Sequence, residues 1–100
     1  MNIVLICVDA LRWDKIGAVS DSKNSLTQNI DKLAKNGSIF MNHITVQNSS
    51  APNQASLFTG LYPVNHRIRE NCVSLKEEFK TMAEYLKENG YKTYGVVSGG

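Results

Sequence analysis

The sequence predicts an α/β domain with a mainly parallel sheet and flanking helices. Three observations predict it. Residues 3–8, Ile-Val-Leu-Ile-Cys-Val, form an unbroken, largely β-branched apolar run, the pattern of a strand buried on both faces. Strand-like and helix-like segments then alternate along the chain, as expected of helices packed on a parallel sheet. The first run also ends in Asp9. A carboxylate therefore stands at the C-terminal end of a strand, the edge at which open α/β sheets bind ligands.

The remaining elements follow in order. Residues 17–27 are rich in Ser, Asp, Asn and Lys and read as a loop. Thr27 is placed to N-cap a short helix reaching about Asn36, with Ile30, Leu33 and Ala34 on one face and Gly37 as its stop. Residues 38–46 carry Ile39, Phe40, Met41, Ile44 and Val46 and read as a second strand. Residues 47–51 are small and polar, a loop. Pro52 suits the first turn of a helix, where its missing N–H costs nothing. That helix is expected to run to Thr59, packing through Ala55, Leu57 and Phe58 and ending at Gly60. Residues 61–73 look irregular. Ser74 with Glu77 makes a capping box for a further helix, whose stripe is Leu75, Phe79, Met82, Ala83 and Leu86 and whose stop is Asn89-Gly90. Residues 91–97 read as a third strand.

The chain has 100 residues, 42% hydrophobic and 20% charged, with two cysteines and a net charge of +2. That composition excludes disorder and low complexity and allows one small domain. Three strands and three helices leave sheet faces and edges uncovered. Residues 1–100 are therefore expected to be a single partial domain, the N-terminal piece of a longer α/β protein. The rest of that domain, or a second copy, would cover the sheet. The charge balance is too weak to argue for nucleic acid or an anionic membrane. The apolar run is too short to span a bilayer and lacks the features of a signal peptide. Cys7 and Cys72 make no disulfide framework, and a cytoplasmic location with reduced thiols is expected.

Chemistry concentrates around Ser50. A hydroxyl at a helix N-terminus lies near unpaired backbone N–H groups, which together with the helix dipole favour an anion such as a phosphate or sulfate ester. Serine needs a base or a metal to become a nucleophile, and Asp9 is a hard oxygen ligand of the kind that Mg, Ca, Mn or Zn accepts. The plainer alternatives are an N-cap for Ser50 and a turn aspartate for Asp9. His43 reads as structural, Asn71 as a loop-fixing amide, Cys7 as core, and Arg12 with Asp14 as a solvated ion pair.

Five blocks resemble the sulfatase branch of the alkaline phosphatase superfamily. Val8-Asp9-Ala10-Leu11-Arg12-Trp13-Asp14 looks like its first metal-binding strand. Thr27-Gln28-Asn29-Ile30-Asp31-Lys32-Leu33-Ala34 is similar to T-P-N-L-D-x-L-A. Ser50-Ala51-Pro52-Asn53-Gln54-Ala55-Ser56-Leu57-Phe58-Thr59-Gly60-Leu61-Tyr62-Pro63 resembles the nucleophile signature C/S-x-P-x-R-A-S-L-x-T-G-x-Y-P. His66 and Asn71 fit the H-G-V-x-x-N turn, and Gly90-Tyr91-Lys92-Thr93 fits G-Y-x-T.

This resemblance implies the N-terminal part of an alkaline-phosphatase-like fold and metal-assisted hydrolysis of a small-molecule sulfate or phosphate ester. Asp9 would be a metal ligand and Ser50 the nucleophile position. Gln54 and His66 would be substrate-binding. The cofactor would be a divalent metal, calcium for a sulfatase and zinc or manganese for a phosphatase. In sulfatases the nucleophile is oxidised to formylglycine.

Three positions depart from the pattern. Ala10 replaces the second of two adjacent Asp residues, Gln54 replaces the signature Arg, and Ser98 falls where many sulfatases place Lys. Gln keeps hydrogen bonding but loses the fixed positive fork, so Ser50 is expected to stay a serine and phosphate esters to be preferred. The family's other metal ligands lie beyond residue 100, which implies that these residues alone are inactive. Two rival readings are a receiver-type regulatory domain, which the Val97-Ser98-Gly99 ending disfavours because it lacks an acceptor Asp, and a non-catalytic remnant.

Overall fold

A computed structural model describes residues 1–20 and 25–97. The chain divides into two units, Met1–His43 and Ile44–Gly100.

In the first unit, residues 3–8 lead into a turn at Asp9 and Ala10. Ala10 has φ +57°, a left-handed conformation that costs a side-chain-bearing residue on the order of 1 kcal/mol. A single 3-10 turn, Trp13–Lys15, follows. Arg12 grips Asp14 bidentately, Nε to Oδ1 at 2.9 Å and an Nη to Oδ2 at 2.6 Å. Helix α1 is Gly17–Ser20 and helix α2 is Gln28–Lys35. The predicted limits of α2, Thr27 and Asn36, are its N-cap and C-cap, but the Thr27 side chain caps none of the backbone N–H groups of its own helix.

The second unit is built on α3, Ser50–Thr59, with α4, Pro63–His66, and α5, Met82–Glu88, packed against it. α3 starts two residues earlier than Pro52 suggests. Gly60 ends it as expected, at φ +71° with its N–H on the Ser56 carbonyl at 2.8 Å. Pro52 and Ala55 are its buried residues, while Leu57 and Phe58 stay substantially exposed. α4 is a helical turn inside the stretch expected to be irregular, with Pro63 fixing its first φ.

α5 corrects the sequence reading. It begins at Met82, not near Ser74, because the second S/T-x-x-E pattern in this stretch is the one that closes. Glu84 accepts the Thr81 N–H and hydroxyl, both at 2.7 Å, whereas residues 76–79 make only a turn. Its stop is as predicted. Gly90, at φ +82°, sends its N–H to the Lys87 carbonyl and Tyr91 sends its N–H to that of Leu86, the paired bonds of a Schellman ending.

No strand forms among the described residues. Residues 3–8, 38–46 and 91–97 have no ladder, and Val4 and Val96 are 80% and 98% exposed. A parallel strand is stable only with hydrogen-bonded neighbours on its edges and helices over its faces. These three segments have neither here. The buried residues of the second unit gather around α3 and α4: Pro52, Ala55, His66 and Ile68.

Candidate active site

Ser50 is the first residue of α3, with Ser49 as the N-cap. It is therefore not the cap that a bland reading makes it, and it is exposed. The helix start has few free donors. Pro52 has no N–H, Asn53 donates to the Ser49 carbonyl at 3.3 Å, and Ala51 donates to Asn71 Oδ1 at 3.0 Å. Of the four positions whose N–H a helix usually leaves unpaired, here residues 49–52, two keep an N–H without a partner among the described residues, Ser49 and Ser50. Gln54 lies one turn on, at i+4. It shares the exposed face with Ser50, and its Cα–Cβ bond tilts toward the helix start.

Two clasps fix this helix. Thr45 donates its hydroxyl to Asn53 Oδ1 at 2.6 Å. Behind the helix, His66 is 1% exposed, and both ring nitrogens are engaged. The Ile68 N–H donates to Nδ1 at 3.1 Å, and Nε2 lies 2.9 Å from Ser56 Oγ. Since Nδ1 accepts, the neutral ring carries its proton on Nε2 and donates it to Ser56. Ser and His at this distance resemble a nucleophile with its base, but a donating Nε2 cannot take the serine proton. The pair ties α4 to α3.

In the other unit Asp9 is exposed at its turn, one residue before the strained Ala10. No group of three or more His, Cys, Asp or Glu that could hold a metal occurs among the described residues. Arg12 and Asp14 engage each other, which holds the Asp14 carboxyl below its usual range and raises the guanidinium further.

A family model described as sulfatase matches residues 1–99. The chain belongs to the sulfatase family. It is 38% identical to an ulvan-active sulfatase of Formosa agariphila over 92% of its length, and 35% identical to the iduronate 2-sulfatase of Homo sapiens over 96%. A multifunctional alkaline phosphatase superfamily protein, PehA of Trinickia caryophylli, is 36% identical over 90%. The chain spans 18% of the length of each of these curated relatives. No solved structure matches.

Within this sulfatase-family chain, Ser50 and Gln54 come together on one helix face, while His66 lies buried behind that helix. Asp9 belongs to the other unit, and Ser98 lies outside the described residues. Asn71, read from the sequence as a loop-fixing amide, does bond a backbone N–H, but that it reaches across twenty residues to Ala51 at the start of α3 was not foreseen. Its signal was present, since an Asn in a loop after a helix is a ready backbone partner, but nothing local says which N–H it meets.

Proposed function

We propose that this chain contributes to a sulfatase-family hydrolase that cleaves a sulfate ester, with Ser50 at the nucleophile position. The observation that carries the reading is the family match over residues 1–99; the exposed first-turn position of Ser50 on α3 supports its assignment as the nucleophile. The ester sulfur would approach the N-terminus of α3. There the free Ser50 N–H and the helix dipole favour negative charge. Asn71 Oδ1 is engaged by Ala51, which leaves its Nδ2 hydrogens to donate to an ester oxygen. Gln54, on the same face, would add a neutral amide donor where the family pattern has an arginine. His66 takes no direct part in this scheme and holds α3 through Ser56.

Asp9 fits a divalent cation as one hard oxygen ligand. Such ions take four or more ligands, and the described residues hold no group of three or more His, Cys, Asp or Glu that could supply them. A bound cation would polarise the ester oxygens. The α/β sheet of an alkaline-phosphatase-like domain belongs to the same proposal. Residues 3–8, 38–46 and 91–97 would pair within that sheet, and their exposed apolar side chains support this.

Gln54 favours a second reading, an unmodified Ser50 acting on phosphate esters, because an arginine fork suited to an anionic centre is missing. The test uses the full protein with an aryl sulfate and the matching aryl phosphate. Sulfate turnover lost in Ser50→Ala and in Asp9→Ala supports the first reading. Phosphate turnover alone supports the second. Turnover of either ester unchanged in Ser50→Ala overturns both.

A further inference from the structure

Thr27 and Asp31 belong to the block similar to T-P-N-L-D-x-L-A, and the chemistry proposed above uses neither. What they touch is the other helix of their unit. The Gly17 N–H donates to Thr27 Oγ1 at 2.9 Å, and the Ala18 N–H donates to Asp31 Oδ1 at 2.9 Å. These are the first two N–H groups of α1. Thr27 Oγ1 gives its own proton to Asp31 Oδ1 at 2.9 Å. Ser25 Oγ lies 3.0 Å from Thr27 Oγ1 and accepts the Thr27 N–H at 3.0 Å. Asp31 is held below the usual carboxylate range by Ser25 first, then by the Ala18 N–H, Thr27 and the Gly17 N–H. Gly17 is buried against this cluster, and a Cβ there would overlap the Ser25 side chain and meet Asp31 Oδ2.

We propose that Thr27 and Asp31 form the N-terminal cap of α1 rather than of their own helix, and that Gly17 is glycine because the cap closes onto it. Four residues cannot hold a helical turn unaided. α1 packs on the Trp13–Lys15 turn on one side and on α2 on the other. The 3-10 turn is in turn bonded to its neighbours, with the Ile16 N–H on the Trp13 carbonyl at 3.2 Å. The cap therefore anchors to α2 the chain that leaves the Asp9 turn. A Thr and an Asp four apart at a helix start ordinarily cap that same helix; here the Thr27 side chain caps no backbone N–H of α2 and bonds there only to the Asp31 carboxylate, which distinguishes this case.

Residue-resolved amide exchange on the full protein tests the proposal. In Thr27→Val and Asp31→Ala, the Gly17 and Ala18 amides should exchange about fivefold faster or more, the effect of a lost cap of ~1 kcal/mol. The amides of residues 32–35 should change less than about twofold. Thr27→Ser should restore protection, and Gly17→Ala should reproduce the loss. Faster exchange confined to the first turn of α2, with Gly17 and Ala18 unchanged, overturns the proposal. If Asp31→Ala unfolds the unit, Asp31→Asn decides, because it keeps the Oδ1 acceptor and removes only the charge. Ala18 protection then stays within about threefold of the parent if the cap is real, and falls in step with α2 if it is not.

Discussion

Asn71 Oδ1 accepts the Ala51 N–H at 3.0 Å, across twenty residues of chain, at the start of the helix that carries Ser50. One side chain thus completes the cap of α3 and brings its own amide donors to the same end. The two jobs separate by substitution. Asn71→Ala should lower stability by about 1 kcal/mol, seen as a fall in Tm, because the Ala51 N–H loses its partner. Asn71→Asp keeps the acceptor and adds a charge that suits a helix N-terminus, so Tm should hold. The same variant should lose ester turnover, since a carboxylate cannot donate and repels an anionic ester. Equal turnover in Asn71→Asp and the parent would remove Asn71 from the substrate site.

His66 gives a second prediction. His66→Ala leaves the Ile68 N–H unpaired and opens a void beside Ser56, at a cost of about 2–4 kcal/mol. Ser56→Ala removes only the acceptor for Nε2–H and should cost about 1 kcal/mol. Thermal denaturation reads both. Nitrogen chemical shifts of the ring should show the proton on Nε2, and a proton on Nδ1 would contradict the Ile68 bond.

Acid should weaken the fold through two carboxylates, the exposed Glu84 and the half-buried Asp31. Glu84 is held below its usual range by the Thr81 N–H first, and Asp31 by Ser25 first. A folded value below the unfolded one stabilises at pH above the unfolded value, and the gain is lost as pH falls through the folded value. Tm should therefore drop between ~pH 5 and ~pH 2. Asp31→Asn and Glu84→Gln should each flatten that limb, and a limb unchanged in both variants would refute the assignment. Solvent screening keeps either effect small.

The chemical state of Ser50 discriminates between the two ester readings. With Gln54 in the place of the signature arginine, the Ser50 peptide should have the mass of an unmodified serine. A mass lower by ~2 Da would mean oxidation to the aldehyde, and the phosphate-ester reading would then be abandoned.

Much of this protein was legible from its residues. α2 lies between the predicted Thr27 and Asn36, and Gly60 and Gly90 end their helices as read, because both take positive φ, which glycine adopts without a Cβ penalty. The five sulfatase-like blocks stand in order along the chain, and the family match covers them. These features are local, or fixed by order alone. Partners distant in sequence were not legible. Two capping boxes were written into residues 74–84, and only the fold selects Thr81 with Glu84. Thr27 has the residue type and position of an α2 cap, yet its hydroxyl serves Gly17 and Asp31. Ser50 looked like a cap surrounded by free N–H groups, yet Asn71 occupies one of them and Ser49 stands at the cap. A side chain's type tells what it can bond. Which unpaired group it meets depends on where the chain returns, and only tertiary structure decides that.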